Sequence, residues 1–91
     1  MTNKGKIGFS KGFRKEFEKL PDIHKKMVMD TVLLIEENPS YPSLRTKKMG
    51  GKHKYYESSA NMDIRILWRY RRDGDGIALL DVGHHDVLRK Y

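Results

Sequence analysis

Residues 63 to 83, DIRILWRYRRDGDGIALLDVG, constrain the fold of this chain more than any other stretch. In DIRILWRYR the period is two: Ile64, Ile66, Trp68 and Tyr70 share one face of a strand, and Arg65, Leu67, Arg69 and Arg71 share the other. DGDG, residues 73 to 76, is a hairpin turn, because glycine tolerates the positive φ that such turns demand. IALLDVG, residues 77 to 83, is nearly continuous in apolar residues, the pattern of a central strand buried on both faces. A hairpin with an Ile-Ile-Trp face cannot stand alone in water. The rest of the chain has to cover it.

The cover is legible upstream. KIGFS, residues 6 to 10, reads as a short strand whose Ser10 can cap a helix by accepting a hydrogen bond from a free N–H of its first turn. Phe13, Phe17 and Leu20 then recur at i, i+4 and i+7 on one helical face, and Pro21 closes that helix. Asp22 is expected to cap a second helix with Ile23, Met27, Thr31, Leu34 and Ile35 on one side. It stops at Asn38, because a residue before proline avoids the helical region. PSYPSLRTKKMGG, residues 39 to 51, reads mostly as loop, with Leu44 and Met49 tucked against the core, and KYYESSA, 54 to 60, as a further strand before an Asn-Met turn. The order is therefore β-α-α-β-β-β over residues 1–91 as one α+β domain. It predicts an antiparallel sheet of three to four strands with the helix hairpin packed on one face. Two short helices cover only that face, so the opposite face presents Arg65, Arg69 and Arg71, a poor core and a good phosphate surface.

Charge points the same way. Nineteen Lys and Arg against twelve Asp and Glu leave a formal charge of +7, which suits a nucleic-acid partner or an acidic protein partner. No cysteine is present, which excludes a disulfide framework and a thiolate metal site. No apolar run approaches the roughly 20 residues of a membrane span, and MTNKGKIGFS has no apolar signal-type segment, so a cytoplasmic location without a membrane partner is expected. A Gly-rich phosphate loop, an HExxH pair and a nucleophile elbow are all missing, and no metal or cofactor is expected.

The closing stretch, VGHHDVLRKY, carries the chemistry that composition does not. His84 and His85 alternate in direction along an extended strand, so they do not converge on one metal; His84 reads as a partly buried, hydrogen-bonded core residue. Strand parity puts His85 with Ile77, Leu79, Asp81 and Gly83, and Gly83 leaves backbone room for a substrate. Imidazole suits proton transfer near neutrality. On the residues alone, His85 is either a polar strand end or a proton-transfer group, and Asp86 either orients it or starts the terminal turn. Trp68, sharing a face with Ile64 and Ile66, belongs to the core.

In element order and in the segments PSLRTKKMGG, YYESSANMDIRILWRY and IALLDVGHHDVLRKY, essentially the whole chain resembles the RelE/ParE superfamily of bacterial and archaeal toxins. The marks are the arginine of the central strand, the turn, and an apolar strand ending in V-G-x-[HR] before a terminal tyrosine. The resemblance implies a toxin of a type II toxin–antitoxin pair, partnered by an antitoxin encoded next to it. In the RNase branch the toxin enters the ribosomal A site and cleaves mRNA without metal or cofactor, by attack of a 2′-hydroxyl on the adjacent phosphate. Arg65 then matches the phosphate-binding strand arginine, His85 the acid/base position, and Tyr91 a tyrosine near the scissile phosphate. Asp63 and Lys47 match positions held by polar catalytic or RNA-contacting residues, and Asp86 is placed to orient His85. Lys47, Lys48, Lys52, Lys54, Arg69 and Arg71 are the candidate RNA contacts. The chain departs from the family in YYESSA, where the strand often carries cations aimed into the site; the four lysines either compensate or form a solvated basic loop. Two other implied readings are a ParE-type gyrase inhibitor that cleaves nothing and an inactive relic that keeps only antitoxin binding.

Overall fold

The computed structural model describes residues 6–50, 54–72 and 74–84. The elements are β1 (Lys6–Phe9), α1 (Lys11–Glu18), α2 (Asp22–Glu37), a 3-10 turn (Pro42–Leu44), β2 (Lys47–Lys48), β3 (Tyr56–Ser59), β4 (Ile64–Tyr70) and β5 (Gly76–His84). They form a five-stranded sheet in the order β1-β5-β4-β3-β2. The α+β plan with a helix pair on one sheet face is as the sequence predicts, and two details extend it. The loop after α2 contributes the two-residue edge strand β2, antiparallel to β3. At the other edge β1 runs parallel to β5, with Ile7 opposite Ile77, so the sheet is mixed rather than purely antiparallel. Parallel neighbours need a long crossover, and the helix hairpin and the β2–β4 meander supply it.

One cluster of buried side chains fills the space between helices and sheet: Phe13 from α1, Val28, Val32 and Ile35 from α2, Leu44, and Ile64, Ile66, Trp68, Ile77, Leu79 and Val82 from the strands. Leu44 is buried as predicted and Met49 is half-buried. The buried stripe of α2 is rotated by about one residue from the predicted one. Val28, Thr31, Val32 and Ile35 face inward, whereas Ile23 is 70% exposed. Both stripes satisfy the same three-to-four spacing, and the sheet selects the one that presents more aliphatic surface at its centre. Asp22 is the first residue of α2, not its cap; Pro21 occupies the cap position and makes no side-chain bond, while Asp22 places its charge in the first turn. Among the described residues, no helix is long and apolar enough to cross a membrane.

The junction of β5 with α1 sets the geometry of the open face. Leu67 pairs with Asp81 but Trp68 with Leu79, so Leu80 is an extra residue, a β-bulge in the middle of β5. Ser10 ties the bulge down. Its Oγ donates to the Leu80 carbonyl at 2.9 Å and accepts from the Phe13 N–H at 3.0 Å, so one hydroxyl caps α1 and satisfies a carbonyl that the bulge displaces. Gly12 permits the close approach, since a Cβ there would lie 3.3 Å from the same carbonyl. The bulge also corrects the parity predicted for β5. Ile77 and Leu79 face the helices with Trp68 and Tyr70, whereas Asp81 and Gly83 face the other way, opposite Leu67 and Arg65. His84 pairs with Ile64 on the helix side but is exposed at the end of β5, not a partly buried core residue as predicted, since as the last residue of the strand it extends past the buried Ile64.

Candidate nucleic-acid interface

The face away from the helices is less bare than the alternation of β4 suggests. Leu67 and Asp81, cross-strand neighbours on it, are 0% and 3% exposed. Arg65, next along β4, is held at three points. Its Nε lies 3.3 Å from Glu57 Oε2, and its Nη1 donates to the carbonyls of Asn61 at 2.7 Å and Met62 at 2.8 Å. Those carbonyls belong to the turn joining β3 to β4, which Asn61 fixes by accepting from the N–H groups of Asp63 and Ile64. Arg65 therefore cannot swing. With side chains only 18% and 12% exposed, Arg65 and Glu57 form a largely desolvated pair, and Nη2 has no hydrogen-bond partner among the described residues. A guanidinium fixed in this way is preorganised toward whatever anion meets its remaining edge.

Glu57 is the site residue that sequence reasoning missed. Its signal was available: Glu57 sits on the same side of its strand as Ser59, which pairs with Arg65, and both lie across a tight turn. Lys47 pairs with Glu57 at the sheet edge, so Lys47, Glu57 and Arg65 form one band of alternating charge. Asp63 is exposed in the turn beside this band, and Lys48 is exposed opposite Tyr56. His85, Asp86, Tyr91 and Lys52 lie outside the described residues.

The other predicted cations collect at the far end of β4. Lys54, Tyr55 and Tyr56 at the start of β3, with Arg69, Tyr70, Arg71 and Arg72 where β4 ends, line a cleft of about 720 Å³. Of the described candidate RNA contacts, Lys47 and Lys48 thus lie in register with Leu67 and Trp68 at the middle of β4, and Lys54, Arg69 and Arg71 collect where β4 ends. Arg72 and the tyrosines of the cleft were not among the predicted contacts. Trp68 is a core residue as predicted: its ring stacks on Tyr56 at 4.9 Å and its Nε1 donates to Ser58 Oγ at 2.9 Å. Tyr70 meets Trp68 edge-on at 5.1 Å and is half exposed, and partial burial, then the neighbouring Tyr56, push its phenol above the usual value. Among the described residues, no group of three or more His, Asp or Glu is placed to hold a metal.

No family model matches the chain, and no curated protein matches it. Solved structures do. A chain of the Escherichia coli DinJ–YafQ toxin–antitoxin complex aligns over 94% of this chain and 98% of its own, with a TM-score of 0.77 at 15% identity. A metal-bound toxin from Helicobacter pylori aligns over 92% and 98%, with a TM-score of 0.75 at 20% identity. The chain has the RelE/ParE toxin fold. The archaeal RelE–RelB complex from Pyrococcus horikoshii OT3 adds a RelE by name, covering 89% of this chain and 94% of that chain with a TM-score of 0.73 at 17% identity. At such identities the RelE/ParE likeness is one of backbone, and the side chains of the open face have to be argued on their own chemistry.

Proposed function

We propose that this protein is the toxin of a type II toxin–antitoxin pair and a metal-independent endoribonuclease that cleaves mRNA in the ribosomal A site. The observation that carries the reading is the three-point clamp on Arg65, which aims a guanidinium edge from the open face of a RelE/ParE fold. In the proposed reaction the 2′-hydroxyl of a nucleotide attacks the adjacent phosphorus, the P–O5′ bond breaks, and a cyclic phosphate and a free 5′-hydroxyl result. Arg65 neutralises charge growing on the phosphoryl oxygens, and His85, following the end of β5 in sequence, moves a proton at the attacking or leaving oxygen, with Asp86 orienting it. Tyr91 assists at the substrate, and Asp63 and Lys47 border the Arg65 edge. Preorganised charge contacts and acid/base groups each contribute about 10² to 10⁴ in rate, so loss of Arg65 or His85 removes activity.

One observation favours a second reading, a toxin-fold protein that binds without cleaving. Glu57 already neutralises part of the Arg65 charge, as suits a structural arginine. Primer-extension mapping of mRNA ends after brief induction separates the two. New ends within reading frames, present with the wild-type chain and His84→Ala and missing with His85→Ala at matched folded concentration, are expected of the nuclease. Growth arrest without new ends would establish the non-cleaving reading, and full cleavage by His85→Ala would remove the acid/base role of that residue.

A further inference from the structure

We infer that the cleft at the far end of β4 is a binding site for one unstacked nucleotide of single-stranded RNA, its base resting on Tyr70 and its flanking phosphates on Lys54, Arg69 and Arg72. The inference deepens the RNA reading and rests on it, yet it stands on residues other than Arg65 and is read by binding rather than cleavage.

The chemistry of the lining argues for a nucleotide. Among the described residues, four of the seven lining side chains are cationic and three are tyrosines. The volume of about 720 Å³ lies within the range of small-ligand pockets. The aromatic part is stiff: Tyr70 contacts Trp68 at 5.1 Å and Tyr56 at 5.5 Å, both edge-on, and Trp68 is itself pinned in the core through Ser58. A fixed, half-exposed ring is a stacking platform that loses little entropy when a base lands on it. Arg69 donates to the backbone carbonyl of Tyr70 at 3.1 Å, which ties one guanidinium to the end of β4, and Arg72 is exposed in the following turn. A carboxylate-rich peptide would use the cations and leave the platform idle. A duplex hides its base faces. A single strand uses both features.

Fluorescence anisotropy with a labelled single-stranded oligoribonucleotide tests this, with duplex RNA of the same length and a polyglutamate peptide as competitors. Tyr70→Ala should weaken the single strand about tenfold or more, the size of one base–aromatic stack, and Tyr70→Phe should restore it. Arg72→Ala should lower the slope of log K against log salt by about 0.7, one phosphate contact on a single strand, in a chain whose thermal melt is unchanged. Because Tyr70 braces Trp68, melts of both Tyr70 variants accompany the titrations, and the Arg72 variant carries the test if Tyr70→Ala is unfolded. Unaltered binding by folded Tyr70→Ala and Arg72→Ala would overturn the site, as would duplex RNA competing equally well. Displacement by polyglutamate that is lost in the same variants would reassign the cleft to an acidic protein partner. Should cleavage fail while these binding effects appear, the nuclease reading falls and the cleft stands; cleavage with no effect of Tyr70 or Arg72 gives the reverse.

Discussion

On the proposed reading, Arg65 serves both structure and chemistry. Its side chain closes the β3–β4 turn through two carbonyls and compensates the half-buried Glu57 carboxylate, so removing it leaves three acceptors without their donor. Water can meet the exposed Met62 carbonyl, but an unmet acceptor among the more buried Asn61 carbonyl and Glu57 carboxylate costs about 1–3 kcal/mol, and Arg65→Ala should therefore lower the melting temperature by several degrees, since 1 kcal/mol is worth about 4–8 °C in a domain of this size. Arg65→Lys keeps the charge but not the fork, and it should recover only part of that loss. Glu57→Gln is the informative partner: the amide oxygen can still accept from Nε while the negative charge disappears. Single-stranded RNA should then bind several-fold more tightly, with little change in the urea midpoint. Weaker RNA binding by a folded Glu57→Gln chain would mean that Glu57 takes part in the chemistry instead of merely holding Arg65 in place.

At the scale of elements, what could be read in the sequence was whatever follows from local periodicity. The two arginine and isoleucine faces of β4, the positive φ of Gly74 and Gly76 in the turn, the Ser10 cap and the stop before Pro39 all follow from side chains within a few residues of one another. Three things depended on distant partners and were not legible. The sheet chose between two equivalent stripes of α2, β1 found its place beside β5, and the bulge at Leu80 reversed the parity on which the direction of the early β5 residues was argued. The bulge leaves no mark in IALLDVG, and the hydroxyl that holds it comes from Ser10, 70 residues away in sequence. The double role of that hydroxyl gives a graded prediction. Ser10→Thr keeps both bonds and should be nearly neutral. Ser10→Ala loses both and should cost about 1–2 kcal/mol, the upper end for a lost cap. Ser10→Asp still caps α1 but brings a carboxylate against the Leu80 carbonyl, so in urea denaturation it should fall well short of Ser10→Thr despite being an equally good cap. Equal midpoints for Asp and Thr would show that the contact with the bulge contributes nothing.

For the whole molecule the decisive quantity is where the +7 charge sits relative to the apolar surface. The described cations divide between strands β2 to β4 with their flanking turns and the two helices, where Lys11, Arg14, Lys15, Lys25 and Lys26 sit, while Phe9, Phe13, Phe17 and Met29 line a separate apolar groove of about 500 Å³ beside α1, bordered by Arg14 and Glu18. A partner that neutralises the protein has to offer acidic residues to the first surface and can anchor an apolar segment in the second, which is the division of labour expected of an antitoxin that silences this fold. Co-expression with the product of the neighbouring gene should restore growth and yield a complex on purification. Its two contributions should separate with salt: charge pairing on the open face weakens as ionic strength rises, whereas burial of aromatic surface does not. Accordingly, Arg69→Glu combined with Arg72→Glu should slow association and flatten its salt dependence, with a modest effect on the dissociation rate. Phe9→Ala, at a position 37% exposed and therefore little needed for folding, should mainly speed dissociation. Surface plasmon resonance at two salt concentrations measures both. An association rate indifferent to salt and to the charge reversals would place the partner wholly on the apolar side and leave the basic face to RNA alone.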